Sequence, residues 1–262
     1  MQTLGRLHGL SFVIRDQSPQ LFENLTARLE ETYYAPKIKP WYNDFIKSQI
    51  LIGEDAVVKE YGGTIIEEKT KKFLVEGDLY DKMCKLTQTR NQFSVIGHGD
   101  TWTPNFLIHN EKIDDKDFPV SAIMIDFQLA RFASPAIDLS FFFYSCTTQE
   151  LREQYFDVLI KTYHESLCSF VKDFGSNPDV LFPFSALQNE LQTTFRFGAG
   201  MAIESVPFSL LEDHEAPDMD VLQGEEAVPI QTIWVIKPIT NKEGRKRLAD
   251  VFKHATERGY LD

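Results

Sequence analysis

The chain has 262 residues, of which 43% are hydrophobic and 25% charged, a composition typical of a globular protein with a packed core. Its formal net charge is -12. This acidic balance argues against a general nucleic-acid partner, because neutralising nucleic-acid phosphates needs clustered Lys and Arg side chains. A phosphate ligand would therefore depend on a local feature such as a metal ion or the N-terminus of a helix.

The cysteines and the start of the chain predict a soluble protein of the cytoplasm. Cys84, Cys146 and Cys168 are too few and too far apart for a metal-ligand motif or a disulfide framework, so we interpret them as reduced, inert thiols. The first ten residues lack the basic and apolar blocks of a signal peptide, and the aromatic-rich run 139–144 is too short to span a bilayer. We expect a cytoplasmic location and no membrane partner.

The first third of the chain shows the helical spacing of apolar residues. Residues 3–34 fit this pattern with a break at Pro19, and two further helices are predicted at 41–61 and 64–89. The Gly62-Gly63 pair is predicted to separate those two helices.

Short apolar runs replace the helical pattern in the middle of the chain. One run, 93–96, ends in a Gly-His-Gly-Asp segment, and two others, 106–108 and 120–125, flank a charged stretch. Two short strands joined by a charged turn predict a β-hairpin, and the run 120–125 suits a buried strand. Helical patterns then return over about 138–146, 150–173, 183–206 and 243–258.

No internal repeat, low-complexity tract or clear linker divides the chain, so we predict one domain over residues 1–262. It comprises a helical region over 1–92, a region of loops and strands over 93–137, and a second helical region over 138–262. The segment 212–226 contains seven acidic side chains and neither Lys nor Arg. We interpret it as a solvated loop in preference to a site for a cationic substrate.

Four polar residues of the middle region carry the chemical signal. His98, Asp100 and Asn105 fit the pattern H-x-D-x-x-x-x-N, and Asp126 ends the apolar run 120–125. Transfer of a phosphoryl group depends on positioning and charge neutralisation, and it needs a carboxylate near the attacking hydroxyl. Amide and carboxylate oxygens are hard ligands of the kind that Mg²⁺ prefers. The spacing therefore indicates phosphoryl transfer, with Asp100 near the hydroxyl and Asn105 and Asp126 near the metal.

Structural roles remain open for these residues. His98 suits a hydrogen-bonding support for the loop, Asp100 could be a turn residue, and Asn105 could cap the following segment. Asp126 has fewer structural explanations, because a carboxylate buried at a strand end needs a partner. Asp138 precedes a predicted helix and is interpreted as an N-cap or a loop anchor rather than as a catalyst.

Three segments resemble the ecdysteroid kinase-like family, one of the kinase-like phosphotransferases that also include choline kinases and aminoglycoside phosphotransferases. They are HGDTWTPNFLI, IDFQLARFASPAIDLSFFF and, near the start of the chain, LGRLHGLSFVI. The resemblance implies an α+β, mostly helical fold that forms the large C-terminal lobe of a protein-kinase-like structure with a short catalytic β-hairpin. It also implies ATP as phosphate donor, Mg²⁺ as cofactor, and a small-molecule hydroxyl, such as that of an ecdysteroid-like steroid, as acceptor.

By the same resemblance, Asp100 would be the catalytic base, Asn105 and Asp126 the magnesium ligands, and His98 a support for the loop. Gln128 stands where protein kinases have the Gly of Asp-Phe-Gly, and no Ala-Pro-Glu signal follows Asp126. These departures argue against a protein kinase.

The sheet-rich lobe that binds ATP in kinase-like enzymes has no counterpart in the sequence pattern. There is no glycine-rich phosphate loop and no strand Lys of the V-A-I-K type before His98. We therefore expect an absent N-terminal lobe, weak or absent ATP binding, and an exposed apolar surface that a protein partner could cover. Two hypotheses follow: a truncated phosphotransferase, or a non-catalytic ligand- or protein-binding module derived from one.

Overall fold

The computed structural model describes residues 1–211 and 237–262, so the predicted acidic loop at 212–226 lies outside the described residues. The described part is an α+β structure dominated by helices, as predicted. Its helices are α1 (Gln2–Gln17), α2 (Pro19–Thr26), α3 (Lys39–Tyr61), α4 (Ile65–Leu74), α5 (Leu79–Gln88), α6 (Pro135–Cys146), α7 (Gln149–Asp173), α8 (Pro178–Leu181), α9 (Phe184–Thr194), α10 (Arg196–Phe208) and α11 (Lys242–Glu257). Its strands are β1 (Val95–Gly97), β2 (Phe106–Ile113), β3 (Lys116–Met124) and β4 (Arg131–Ala133).

Pro and Gly residues set the helix boundaries in the first third of the chain. Pro19 lies in the first turn of α2, and the Gly62-Gly63 pair separates α3 from α4, as predicted. The prediction of a single helix over 64–89 is wrong, because Gly77, at φ +85°, interrupts it and the side chain of Asp78 caps α5. A glycine in the left-handed region ends a helix at little steric cost.

Two other predictions of helix length are wrong. Regular helix ends at Thr26 rather than near residue 34, and the predicted helix 183–206 is divided into α9 and α10 at Phe195. Tyr34 and Phe195 are both fully buried. Each break thus directs an aromatic side chain into the core, where tertiary packing outweighs local helix propensity.

The predicted hairpin is present and longer than expected. β2 pairs antiparallel with β3, with Phe106 opposite Met124, and Asp114 and Asp115 form the turn with positive φ angles. The expectation that the second strand is buried is wrong, since Ile123 is 59% exposed. Most of the hairpin is uncovered by the described residues, so its apolar side chains remain at the surface.

A second small sheet brings two loops together. β1 pairs antiparallel with β4, with Val95 opposite Ala133 and Gly97 opposite Arg131. The sequence predicted strand character near residue 95 but not this partner. Because the pairing is antiparallel, the loop that follows β1 and the loop that precedes β4 lie at the same edge.

The helices pack around one cluster of buried hydrophobic side chains that also includes residues of β1 and β4. α1 lies along α7, and α6 lies along α10. Gly5 allows the first of these contacts, because a Cβ there would lie 2.5 Å from the carbonyl oxygen of Tyr163. The three cysteines are free thiols. Within 1–211 and 237–262, no helix combines the length and apolar character needed to cross a membrane.

Candidate active site

The loop that follows β1 is built around the buried ring of His98. Its Nε2 lies 2.8 Å from the carbonyl oxygen of Ile125, and its Nδ1 accepts a hydrogen bond from the backbone N–H of Asp100 at 3.2 Å. Nδ1 is therefore the unprotonated nitrogen, and Nε2 carries the proton. Through these two hydrogen bonds, the imidazole connects the backbone of Asp100 to the backbone of Ile125, the residue before Asp126.

The turn at Gly99 requires glycine. Its φ is +83°, and a Cβ there would lie 1.8 Å from the carbonyl oxygen of Leu129. A side chain would collide with the backbone as well as adopt a left-handed conformation. The glycine thus lets the loop after β1 press directly against the segment between β3 and β4.

Asp138 anchors the same loop from the first turn of α6. Its carboxylate accepts hydrogen bonds from the backbone N–H of His98 at 2.6 Å and from that of Gly99 at 2.8 Å. The N-cap of α6 is Ser134, so the N-cap alternative for Asp138 is wrong. The contacts of Asp138 are those of the other alternative, a loop anchor.

His8 is a partner of Asp138 that the sequence analysis did not identify. Its Nε2 lies 3.0 Å from Oδ2 of Asp138, and its Nδ1 lies 2.7 Å from the hydroxyl of Tyr163; all three side chains are buried. Burial by itself raises the pKa of Asp138, but the hydrogen bond and charge of His8 and the two backbone donors outweigh it and hold the pKa below its ordinary value. The only signal in the sequence was a histidine on an apolar face of α1.

The side chains of Asp100 and Asn105 are in direct contact. The Nδ2 of Asn105 donates to the backbone carbonyl oxygen and to Oδ2 of Asp100, both at 2.9 Å. Burial raises the pKa of Asp100 above its ordinary value, and the nearby charge of Asp126 acts in the same direction, although the hydrogen bond from Asn105 opposes it. The side chain of Asp100 is only partly buried, so a substrate can reach it.

Ile125, the residue before Asp126, is hydrogen-bonded through both its backbone N–H and its carbonyl oxygen. The backbone N–H of Ile125 donates to the carbonyl oxygen of Asn105 at 3.0 Å, and its own carbonyl oxygen contacts the ring of His98. Asp126 has φ +62°, an uncommon conformation for a residue with a side chain, and its Oδ1 accepts a hydrogen bond from the backbone N–H of Gln128 at 3.3 Å. The structure therefore places the three predicted site residues together at one end of the hairpin.

Oxygen atoms suited to Mg²⁺ are available on Asn105 and Asp126. The donation to Asp100 fixes the amide of Asn105, and its Oδ1 accepts no hydrogen bond from the described residues. Asp126 is exposed, contrary to the expectation of a buried carboxylate. Among the described residues, no group of three or more His, Cys, Asp or Glu side chains could hold a metal ion. The two oxygens fit the partial ligand set of Mg²⁺, which water and substrate phosphates complete.

A buried carboxyl group beside this site also escaped the sequence analysis. Glu204, 6% exposed, accepts hydrogen bonds from the hydroxyls of Tyr33 at 2.7 Å and Tyr34 at 3.2 Å, and the Tyr33 hydroxyl lies 2.9 Å from that of Tyr42. Burial raises the pKa of Glu204 to about 7, although the tyrosine hydroxyls oppose the shift. Burial, the charge of Glu204 and, more weakly, that of Asp100 raise the pKa of Tyr33, so the cluster extends towards the candidate base.

An ion pair connects these tyrosines to β4. The Nε of Arg131 lies 3.2 Å from Oε2 of Glu31, and both side chains are almost fully buried. The other carboxylate oxygen of Glu31 accepts hydrogen bonds from the backbone N–H of Tyr33 at 3.0 Å and of Tyr34 at 2.9 Å. Because β4 follows the Asp126 loop, the ion pair fixes the tyrosines relative to the site.

A carboxylate, an amide and a second carboxylate gathered at the end of a hairpin define a candidate site of the kinase-like phosphotransferase class, whose members use ATP and Mg²⁺. The sequence model of the ecdysteroid kinase-like family matches residues 1–176, a segment that contains every residue of this site except Glu204. The chain therefore belongs to the ecdysteroid kinase-like family, which confirms the resemblance seen in its motifs. No curated protein and no solved structure matches the chain.

Proposed function

We propose that the protein transfers a phosphoryl group from ATP to a hydroxyl group of a small molecule, with Mg²⁺ as cofactor. Asp100 is the catalytic base, and Asn105 and Asp126 hold the metal. His98 and Asp138 are positioning residues that hold the loop of Asp100 in place. Family membership supports the reaction class, and the geometry of the site supports the assignment of roles.

The contact between Asn105 and Asp100 carries the proposal. Asn105 donates from its amide to Oδ2 of Asp100 and accepts through its backbone from Ile125, so one residue connects the candidate base to the segment of Asp126. The alternative that Asn105 caps the following segment has no helix to act on, because β2 begins at the next residue. A purely structural role does not explain why the carboxylates of Asp100 and Asp126 and the amide of Asn105 lie together.

The chemistry requires a proton acceptor and local neutralisation of charge. The acceptor oxygen forms a bond to the terminal phosphorus as the bond from that phosphorus to the ADP oxygen breaks, and the hydroxyl proton passes to a carboxylate oxygen of Asp100. The raised pKa of Asp100 makes it a stronger proton acceptor than an ordinary aspartate. When bound, Mg²⁺ neutralises phosphate charge, which matters in a protein of net charge -12.

The acceptor is proposed to be a small apolar alcohol, and ecdysteroid-like steroids are the first candidates because of the family to which the chain belongs. Tyr33 is only partly buried, it donates a hydrogen bond to Glu204, and the charge of Asp100 contributes to the raised pKa of its hydroxyl. Its ring is a candidate contact for the apolar body of such an acceptor. Aromatic rings supply a large apolar contact area with a polar end, which suits a molecule that carries few hydroxyls.

The test is a phosphotransfer assay with a panel of steroid and other small alcohols, ATP and Mg²⁺, combined with calorimetric titration of MgATP. The expected result is magnesium-dependent transfer that Asp100→Asn lowers by at least about a hundredfold, the usual contribution of a general base. Asp126→Asn should abolish magnesium-dependent nucleotide binding. Asp117→Asn is the matched control, because Asp117 is an exposed carboxylate at the far end of the hairpin.

Two results of these assays would contradict the proposed function in part or as a whole. Transfer that survives Asp100→Asn would assign the base elsewhere. A folded protein that neither binds MgATP nor transfers phosphate to any alcohol would overturn the proposal.

A second candidate function is a non-catalytic ligand- or protein-binding module derived from such a kinase. The exposed apolar side chains of the hairpin favour it, among them Leu107, Ile108, Val120 and Ile123. This candidate predicts a protein that binds its ligand without turnover and with an affinity that Asp100→Asn leaves unchanged. The same titrations and assays therefore distinguish the two functions.

A further inference from the structure

A basic cavity lies apart from the candidate active site. Its volume is about 530 Å³, and its walls come from α4, α5, α9, α10 and the last residues of the chain. None of its lining residues belongs to the loop of Asp100 or to the hairpin. A cavity of this size falls within the roughly 300–1,000 Å³ of small-molecule sites.

Four cationic and two carboxylate side chains line this cavity, in a chain whose net charge is -12. Among the described residues, neither carboxylate forms an ion pair with a cation of the lining. Glu190 accepts a hydrogen bond from Asn91, and Asp262 pairs with Lys69, which lies outside the cavity. Local positive charge in an acidic protein therefore needs a separate explanation.

Arg196 is a cation of this cavity for which the described residues provide no hydrogen-bond or ion-pair partner. It opens α10, it is partly buried, and its Nε is inaccessible to solvent and has no hydrogen-bond acceptor. Among the described residues, no side-chain nitrogen of Arg196 donates a hydrogen bond or forms an ion pair. A buried donor without an acceptor is costly, and a guanidinium group presents a planar fork that matches phosphate or carboxylate oxygens.

A second cation is held close to Arg196. The ammonium group of Lys82 donates to the carbonyl oxygens of Lys72 at 3.2 Å and Phe73 at 2.9 Å, at the C-terminal end of α4. Burial lowers the pKa of Lys82. The charges of Glu76 and, more weakly, Asp78 oppose this shift from outside the cavity lining, and the charge of Arg196 adds to it. Two like charges thus lie near one another within the cavity lining. An anion in the cavity would relieve this repulsion.

The rest of the lining mixes polar side chains, such as those of Thr193 and Thr194, with apolar ones. Phe73 and Leu261 are buried core residues whose side chains reach the cavity, and Leu86 is partly buried beside them. Lys85, one turn before Thr89 on α5, is exposed at the opening and forms no ion pair with a described residue. The cavity therefore places cationic and apolar side chains within one space, with the ammonium group of Lys82 lying 5.9 Å from the ring centroid of Phe73.

We propose that this cavity binds a small amphipathic anion, whose phosphate or carboxylate group contacts Arg196 and whose apolar body lies against Phe73 and Leu86. The proposal does not depend on phosphotransfer, because the site shares no residue with the candidate active site. It assigns a second ligand site to the chain. It also gives the guanidinium group of Arg196, which has no partner among the described residues, an acceptor.

The test is calorimetric titration of the whole protein with octyl phosphate, octanoate and 1-octanol, in EDTA and without nucleotide. We expect saturable binding of at least one of the two anions, and binding of 1-octanol at least tenfold weaker, since the alcohol has the same tail without the charge. The ratio of the two anions identifies the preferred head group. Asp126→Asn should leave the affinity within twofold, because the metal site lies elsewhere.

Arg196→Gln should weaken anion binding by about tenfold or more, the loss expected for one charge-assisted hydrogen-bonding group. Arg28→Gln is the matched control, since Arg28 is an exposed arginine outside the cavity, and it should change the affinity less than twofold. Lys85→Gln, at an exposed position that does not threaten folding, should weaken binding severalfold. The proposal is overturned if neither anion binds, if 1-octanol binds equally well, or if both cavity variants retain the wild-type affinity.

Discussion

His8 and Asp138 are 130 residues apart in the sequence, yet Nε2 of His8 lies 3.0 Å from Oδ2 of Asp138 in the protein interior. The pair connects α1 to the first turn of α6. Through the carboxylate of Asp138 it also reaches the backbone of His98 and Gly99, which is the loop that carries Asp100. The position of the candidate base therefore depends on the packing of the first helix.

Replacing Asp138 should destabilise the protein strongly. Asp138→Ala removes the acceptor of two backbone N–H groups and the partner of His8, all of them buried. Removal of one member of such a buried pair costs about 3–5 kcal/mol. The measurement is the free energy of unfolding in urea, with Asp117→Ala, an exposed aspartate, as the control that should change it by less than about 0.5 kcal/mol.

The stabilisation by Asp138 should disappear in acid. Its pKa in the folded protein lies below the ordinary value, which is about 3.9 in an unfolded chain. The contribution is therefore complete above about pH 4 and is lost as the pH falls through the folded pKa. The difference in unfolding free energy between the wild type and Asp138→Asn should shrink as the pH falls below about 4. A difference that stays constant with pH would show that the carboxylate charge contributes nothing.

The contribution of Glu204 to stability should depend on pH in the opposite direction from that of Asp138, and should be largest in acid. Its pKa of about 7 in the folded protein lies above that of an unfolded glutamate, so the folded state binds the proton more tightly. Its contribution is full below about pH 4.3 and is lost as the pH rises through 7, by up to roughly 3 kcal/mol. Urea unfolding measured from pH 4 to pH 8 should show this decline.

Glu204→Gln should flatten that pH dependence, because a neutral amide still accepts hydrogen bonds from the tyrosine hydroxyls without carrying a charge. The unfolding free energy of the variant, relative to that of the wild type, should be highest near pH 8. Glu68→Gln, at an exposed position, is the control and should keep the slope of the wild type. Equal slopes for all three proteins would place the pKa of Glu204 near its ordinary value.

Asn105→Ala should lower the activity of the protein while leaving it folded. The substitution removes the donor to Asp100 and the proposed metal ligand while leaving the backbone contact with Ile125. Under the proposed function, transfer should fall by about a hundredfold or more, since both positioning and charge neutralisation are lost. Assays over a range of Mg²⁺ concentrations should show the loss, and Asn110→Ala, on the exposed part of β2, should retain full activity.

The local part of the site could be predicted from the sequence because its members are close along the chain or joined by a hairpin. Asp100 and Asn105 belong to one loop, and a turn between two strand-like runs necessarily returns Asp126 to the same end. The breaks at Pro19 and at the Gly62-Gly63 pair were likewise visible, because Pro and Gly act through their own backbone.

The remaining part depends on contacts between distant segments, which periodicity does not reveal. His8 lies among the regularly spaced residues of the first predicted helix, and its contact forms only when the first turn of α6 comes within hydrogen-bonding distance of α1. The same is true of Glu204, whose tyrosine partners lie about 170 residues earlier. The break at Phe195 carries no Pro or Gly signal, so only the packing of its buried ring against the core explains it.

Gly99 provides the most direct test of the loop geometry, because the chain contains a matched glycine. Gly99 and Gly63 have φ angles of +83° and +78°, but a Cβ at Gly99 would lie 1.8 Å from the carbonyl oxygen of Leu129, whereas a Cβ at Gly63 meets nothing within 4 Å. Gly63→Ala should therefore cost only about 1–2 kcal/mol of unfolding free energy, the strain of a left-handed alanine. Gly99→Ala adds a collision with the backbone and should cost at least about 3 kcal/mol.

The same pair of variants should differ in activity under the proposed function. The collision at Gly99 must displace either the loop of Asp100 or the segment that carries Leu129, and a shift of about 1 Å in a catalytic group lowers rates by roughly a hundredfold. Transfer should be measured at a temperature at which both variants are folded, as judged by circular dichroism. Equal activity and equal stability for the two variants would mean that the loop after β1 does not lie against Leu129 as the structure places it.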